Sequence, residues 1–378
     1  MSTFTRTDTS VVSRWWWTID RITLLTVMVI AALGAMLVAS ASPAVAERIG
    51  LESYHFINRH FVFLPMALLV MVATSLLTPQ GVRRLAVLVF VGALAAMVAV
   101  LFLGAEIKGA TRWLYVAGFS LQPSEFIKPA FAVVAAWMFA AQKLDEDVPG
   151  YAISIGLFVV VIGLLMLQPD FGMSIVVASV WAVQFFISGL PLILVGAIAL
   201  LLILGGFGAY LTLDHVRYRI DKFLDPSSSM GYQVEKSLNA FENGGLFGRG
   251  PGEGRVKEVL PDAHTDFILA VAGEEFGIVL CLVIVALIGF VVLRGFTRVL
   301  NDSDFFVMVA VTGLLTQFAL QAIINIASTT HLIPPKGMTL PFISYGGSST
   351  LALALGMGMV LALTRVRPGA HHGLRGRK

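Results

Sequence analysis

The sequence predicts an all-α polytopic membrane protein, a single bundle of about ten transmembrane helices with a large extracytoplasmic loop between the seventh and eighth. Three observations carry that prediction. The 378-residue chain is 57% hydrophobic and only 13% charged, whereas soluble domains hold about 25% charged residues. Its apolar runs reach the roughly 17 residues needed to cross a hydrocarbon core, and they follow one another too closely to leave room for separate soluble domains. Lys and Arg, finally, are distributed unevenly between those runs. The net charge of +3 is small and spread over loops, so it gives no argument for nucleic acid as a partner. Cys281 is the only cysteine and lies inside an apolar run, which excludes intramolecular disulfides and cysteine-based metal clusters.

The first run spans residues 22–41, after Arg14 and Arg21. Ala44-Val45-Ala46 behind it imitates a signal-peptide cleavage site. The run is longer than a signal core, however, and Trp15, Trp16 and Trp17 form an interfacial anchor, so a retained helix is expected. Further spans are expected at 61–77, 84–104, 125–141, 152–167, 171–188 and 190–211, then at 266–293, 305–328 and 346–364. The polar insert 212–265 divides the two groups.

Orientation follows from the basic residues. With the N-terminus inside, Arg6, Arg14, Arg21, Arg83, Arg84, Lys143, Arg294, Arg298 and the tail 365–378 are cytoplasmic. The short outer loops then hold only Arg48, Arg59, Lys108, Arg112 and Lys336. That bias puts both termini in the cytoplasm, and a long insert crosses largely regardless of its charge. The chain thus divides into a cytoplasmic segment (1–21), a transmembrane domain (22–364) with a large outer loop at 212–265, and a basic tail (365–378). No internal repeat is apparent: Gln168-Pro169-Asp170 and Ile333-Pro334-Pro335 both break helices, but their surroundings differ.

The chemistry concentrates in residues 244–277, GGLFGRGPGEGRVKEVLPDAHTDFILAVAGEEFG. Polar residues at the mouth of a membrane helix are costly and mark function. Asp266 is the leading candidate, as a general base; the bland reading of Thr265-Asp266 is a helix cap. Burial would raise the Asp266 pKa and capping N–H groups would lower it. Glu258 is a second acid, a metal ligand or a solvated loop residue, and His264 a partner for either carboxylate or a structural hydrogen-bonder. Glu274 and Glu275 lie about 12 Å further along the helix, as functional acids or as internal ion pairs holding the bundle. No HExxH or comparable spacing is present, which argues against tightly held zinc.

A second cluster, HLIPPKGMTLPFISYGGSS, is a shaped loop in which the Lys336 ammonium suits a phosphate or pyrophosphate, or else snorkels to the interface. A third places Arg112 in an outer loop and Glu125 with Lys128 at a helix start, an i,i+3 pair able to neutralise itself. Asp170 is a supporting residue at its helix boundary. Arg217, with Arg219 and Lys222, opens the insert as a basic patch for anionic headgroups or as a solvated amphipathic helix.

At this point LPDAHTDFILAVAGEEFG, PPKGMTLPFISYGGSS, QPSEFIKPA and GATRWL resemble the SEDS family (shape, elongation, division and sporulation), over nearly the whole chain. The Lys336 segment and the Gly273-Glu274-Glu275 context look like its division branch more than its elongation branch. Asp262 and Leu269 depart mildly from residues the family often shows there. The resemblance implies a ten-helix peptidoglycan glycosyltransferase polymerising lipid II at the outer face of the bacterial cytoplasmic membrane. It implies partnership with a class B penicillin-binding protein transpeptidase and other division-complex membrane proteins. It places Asp266 at the family's essential acid, and Glu258 and Lys336 at further functional positions. Lys336, Arg112 or a divalent cation (Mg or Mn) would then hold the departing pyrophosphate, and the glycines would fold a loop back over a lipid-linked sugar. The competing expectations are a lipid II flippase using Glu274, Glu275 and Lys128, an elongation-type polymerase, and a non-catalytic scaffold.

Overall fold

A computed structural model describes residues 10–366, apart from 108–109, 117, 145–146, 190–191, 213, 226–228 and 301. Residues 1–9, Lys108 and the basic tail beyond Val366 lie outside the described residues. The apolar runs fold as expected, into helices α2 (Arg21–Arg48), α3 (His55–Ser75), α4 (Pro79–Leu103), α5 (Pro123–Lys143), α6 (Gly150–Leu167), α7 (Phe171–Ile187) and α8 (Leu192–Thr212). After the insert come α12 (Ile268–Val299), α13 (Phe305–Thr329) and α14 (Gly347–Leu363). Seven of these are long and apolar enough to span a bilayer; α7 and α14 are shorter apolar helices, and α8 is 21 apolar residues. The protein is therefore a polytopic, all-α membrane protein.

Burial divides the bundle into centre and rim. Of the most apolar stretch of α5, 89% is buried, against 22% for α3 and α6. The α5, α13 and α14 helices form the centre, and the others present Leu69, Leu88, Phe102 and similar side chains outward. Only helices and closed barrels satisfy their own backbone in lipid, and an outward apolar face completes that arrangement.

The connections hold more structure than the sequence suggests. A short helix, α1 (Val11–Thr18), carries the three tryptophans, and the Trp15 indole donates to Ser75 Oγ at 2.8 Å. The α2 helix continues through Ala44-Val45-Ala46 without interruption, so the cleavage-like triplet is helical. The loop with Arg112 is an antiparallel meander of β1 (Ala105–Ile107), β2 (Ala110–Val116) and β3 (Phe119–Leu121). Its strands are too short to register in a helix-length window, though Thr111, Trp113, Tyr115 and Val116 are good strand formers. The insert contains α9 (Asp214–Leu224), α10 (Ser229–Gly244) and α11 (Val256–Val259). The first is the amphipathic helix that was the alternative reading of the Arg217 patch.

The α12 helix is broken. Gly277 has φ 80° and ψ 177°, a conformation essentially confined to glycine. The break frees carbonyls and N–H groups, and residues 245–250 occupy it reciprocally. Arg249 and Gly250 donate to the carbonyls of Glu274 and Glu275 at 2.9 and 3.0 Å. In return, Ile278 and Val279 donate to the carbonyls of Gly245 and Leu246 at 3.0 and 3.3 Å. Backbone packs on backbone: a β-carbon at Gly248 would strike the Glu275 carbonyl, and one at Gly277 the Leu246 carbonyl. Gly248 and Gly277 thus seat the insert in the broken helix.

The opposite end of the bundle is tied by Asp20, the N-cap of α2. Arg294 Nε and Nη2 donate to its carboxylate at 2.8 and 3.0 Å, and Arg298 Nε lies 2.8 Å away. Burial pushes the Asp20 carboxyl up, but the hydrogen bonds from Arg294 and Thr23 and the arginine charges outweigh it, leaving it below the usual carboxylate range. A depressed folded pKa contributes stability that is present above the ordinary carboxylate value and is lost as pH falls through the folded one.

Two outcomes follow. Gly277→Ala should lower thermal stability in nanodiscs by about 2 kcal/mol or more and open Arg249 to trypsin; a change under about 0.5 kcal/mol would show that the break tolerates a side chain. The wild-type melting temperature should fall more steeply below about pH 4 than that of Asp20→Asn; parallel curves would remove Asp20 from the acid response.

Candidate functional site

The Asp266 loop is built around one carbonyl. Residues 261–267 wind as consecutive turns, and the Asp262 carbonyl accepts from the N–H groups of Thr265 and Asp266, both at 3.0 Å. Asp262 has φ 55°, which aspartate tolerates better than most residues. The N-cap of α12 is Phe267, with no side-chain cap bond. The Asp266 side chain is half-buried at the mouth of this helix.

The Lys336 loop comes directly alongside. The β-carbon position at Gly337 lies 3.9 Å from Asp266 Oδ2, and Lys336 is one peptide step, about 3.8 Å, further on. That is well inside the roughly 15 Å that a hydroxyl and a pyrophosphate on one substrate pair would bridge. A β-carbon at Gly172, at the start of α7, would meet Lys336 Cδ at 3.7 Å and Met338 Cε at 3.3 Å. The lysine stem therefore runs over the α7 terminus, whose N-cap is Asp170.

Arg112 reaches the same corner from β2. Its Nε donates to the Gln168 carbonyl at 3.1 Å, its Nη2 to the Pro169 carbonyl, and its Nη1 lies 3.6 Å from Asp170 Oδ1. The guanidinium is thus engaged in holding the sheet against the 168–170 corner. Asp170, expected to support, both caps α7 and pairs with Arg112.

A buried polar chain runs beneath the two loops. Lys128 Nζ lies 2.8 Å from Glu125 Oε2, off the line of a good hydrogen bond, and donates to Gln321 Oε1 at 3.0 Å. The Gln321 amide donates to Thr339 Oγ1 and Ser349 Oγ at 3.1 and 3.0 Å. Asn325, one turn further along α13, donates to the carbonyls of Asp266 and Met338. Sequence reasoning missed both amides. The available signal was the spacing of Gln317, Gln321 and Asn325, three amides at i, i+4 and i+8 on one face of an apolar helix.

The other candidates separate from this cluster. His264 is only 4% exposed and sits between Phe56 and Tyr345, with ring centroids 4.4 and 5.2 Å away. Burial pushes it down to about 4, so it is uncharged at neutral pH and shapes the loop instead of meeting a phosphate. Its carbonyl accepts from the Tyr345 N–H at 2.9 Å, a second tie to the Lys336 loop. Glu258 is exposed and lines an open groove of about 580 Å³ with Ser40, Pro43, Glu47, Arg48 and Lys257. Neither Asp266 nor Lys336 lines it. Arg217 is exposed on α9 and pairs with Asp221 at 3.6 Å; among the described contacts none ties it to the Asp266 loop.

Glu274 and Glu275 are 0% and 1% exposed. They do not share a continuous helix with Asp266, because α12 begins at Ile268. Glu274 Oε2 accepts from the Val256 N–H at 2.8 Å, and its Oε1 lies 3.6 Å from Arg249. Glu275 Oε1 accepts from Lys257 Nζ at 2.6 Å and its Oε2 from Ser40 Oγ at 2.5 Å. Both carboxylates bind the insert to the helix bundle.

The chain matches the FtsW/RodA/SpoVE family model, described as cell cycle protein, over residues 20–368. It is 44% identical to a protein of Caulobacter vibrioides named probable peptidoglycan glycosyltransferase FtsW, covering 97% of this chain and 95% of that one. A protein of the same name from Trichlorobacter lovleyi is 34% identical, over 91% and 93%. Among solved structures, one described as the structural coordination of polymerization and crosslinking by a peptidoglycan synthase complex aligns with a TM-score of 0.77 at 28% identity, covering 92% of this chain and 98% of that one. The rod shape determining protein RodA of Thermus thermophilus aligns with a TM-score of 0.67 at 27% identity, covering 92% and 97%.

The Glu275 contacts generate a prediction. Lys257→Met leaves a fully buried carboxylate without its cation and should cost about 3–5 kcal/mol of stability, measured by thermal unfolding in detergent. Adding Glu275→Gln should restore at least half of that; no restoration would mean that Lys257 acts through other partners.

Proposed function

The chain belongs to the FtsW/RodA/SpoVE family of cell cycle proteins, and from that premise and the paired Asp266 and Lys336 loops we infer the following reaction and roles. The protein is a peptidoglycan glycosyltransferase. Its substrate is lipid II, and it polymerises the disaccharide units into glycan strands for septal wall synthesis. The observation that carries the assignment of residues is the placement of Gly337 within 3.9 Å of the Asp266 carboxylate, which sets an acid beside Lys336.

The reaction needs a base and a cation at neighbouring points. Asp266 takes the proton from the acceptor sugar hydroxyl as its oxygen attacks the anomeric carbon of the donor. The bond from that carbon to the pyrophosphate oxygen breaks, and the electron pair leaves with the undecaprenyl pyrophosphate. Lys336 stabilises the negative charge gathering on that leaving group. Attack opposite the departing oxygen inverts the anomeric centre, turning an α-linked donor into a β-1,4 link. Arg112 contributes by fixing the corner over which Lys336 lies. Among the described residues no group of three or more His, Cys, Asp or Glu side chains is gathered; a Mg or Mn ion would be held by the Asp266 carboxylate together with the pyrophosphate of the substrate, where it would supply further positive charge for the leaving group.

The end bearing the insert faces outward on this reading, with both termini in the cytoplasm of a bacterial inner membrane. The gathering of Arg294, Arg298 and Arg365 with Asp20 and Thr18 at the other end supports that orientation. The 580 Å³ groove, with Glu258 at its rim, is a secondary contact surface for substrate. The likeness to a synthase complex supports a class B penicillin-binding protein transpeptidase as partner, alongside other division-complex membrane proteins. A flippase would need movable charges, whereas Glu274, Glu275 and Lys128 are each held in buried contacts.

Asp266→Asn in the purified protein with its transpeptidase partner should reduce polymerisation of labelled lipid II by at least about 100-fold while leaving the melting temperature unchanged. Polymerisation near the wild-type rate would sink the base assignment.

A further inference from the structure

Asn325 lies in an apolar stretch of α13 and is 1% exposed. Its Nδ2 donates to the Asp266 carbonyl at 3.0 Å and to the Met338 carbonyl at 2.7 Å. Both partners are carbonyl oxygens, so only the nitrogen of the amide can serve them, and both of its hydrogens are used. The two carbonyls belong to the two loops of the site: one is that of Asp266, the other lies two residues beyond Lys336. A single amide therefore ties the backbones of the two loops together.

The other end of the same amide shows what this arrangement costs. Asn325 Oδ1 is buried and has no hydrogen-bond partner, which is unfavourable for a buried acceptor. The amide keeps both donors on the two loops and leaves its acceptor bare. The support is layered. Thr329 Oγ1, one turn on, is 3.4 Å from the same Asp266 carbonyl, and Ser237 Oγ of α10 donates to the Thr329 carbonyl at 2.8 Å. One turn back, Gln321 repeats the pattern on Thr339 and Ser349 and is itself fixed by Lys128.

We propose that Asn325 is a positioning residue for glycan polymerisation, setting the spacing of Asp266 and Lys336 without touching substrate. The proposal rests on the roles assigned to those two residues. Displacing a reacting group by about 1 Å costs on the order of 100-fold in rate, so the effect belongs in kcat and not in substrate binding.

The test uses the full chain with its transpeptidase partner. Asn325→Leu removes both donors at nearly constant volume. It should lower kcat for lipid II polymerisation about 100-fold with KM changed less than about threefold. A loss that merely follows the amount of folded protein, with normal kcat for the folded fraction, would make the role structural and overturn the proposal. Spacing is read separately, by oxidative crosslinking of Asp266→Cys with Gly337→Cys. Disulfide formation should be efficient with Asn325 present and several-fold slower with Asn325→Leu; equal crosslinking in both backgrounds overturns the proposal whatever Asp266 does chemically. Activity retained by Asp266→Asn would instead remove the base assignment and leave the crosslinking result standing. If Asn325→Leu does not fold, Asn325→Ala supplies the same comparisons.

Discussion

A backbone that leaves helical geometry within a membrane must find hydrogen bonds from other protein groups, because lipid offers none. The break at Gly277 meets that requirement with residues 245–250, which give two N–H groups and receive two in return. Much of the insert is located by this exchange. Gly244, the last residue of α10, packs on the Gly273 carbonyl, and the two carboxylates just before the break hold Val256 and Lys257 of α11. With α10 and α11 fixed to α12, the turns that carry Asp266 have little freedom in where they emerge.

The second element of organisation is α13. It stands near the centre of the bundle, and its amides reach outward to loops that are far apart in sequence. A loop at a membrane surface is ordinarily the least constrained part of a protein. Here the loops bearing Asp266 and Lys336 are bonded from below to the same helix, and joined above through the His264 carbonyl and the Tyr345 N–H. The apolar sandwich of Phe56, His264 and Tyr345 closes one flank, and the Arg112 corner supports the lysine stem on another. Electrostatic assistance in a preorganised site is worth more than in water because little must move during reaction. The polar chain from Glu125 to Asn325 supplies that fixity.

How much of this was legible in the sequence depended on the length scale of each signal. The membrane helices were readable because a run of about 20 apolar residues has no common alternative. Asp266 and Lys336 were readable because charged residues among Pro and Gly at a helix mouth are expensive and therefore conspicuous. The meander carrying Arg112 was not, since strands of three to seven residues fall below any helix-length window. Charge alone could not tell Glu258, on a groove rim, from Glu275, buried against Lys257; that difference is made by the fold. Gln321 and Asn325 were hidden because single amides in an apolar run look like noise until their shared face is noticed. The backbone role of Gly244, Gly248 and Gly277 was not legible either, because a glycine that admits a neighbouring backbone looks in sequence like any other glycine of a loop.

The broken helix also bears on how the chain is made. Residues 245–250 are synthesised before Gly277, so the groups that complete α12 already exist when that helix enters the bilayer. Before they dock, Gly277 is free to lie in a continuous helix that pairs its own backbone, and the hydrophobicity of α12 suits it to span alone. Seating the insert then exchanges intrahelical hydrogen bonds at the break for those with residues 245–250.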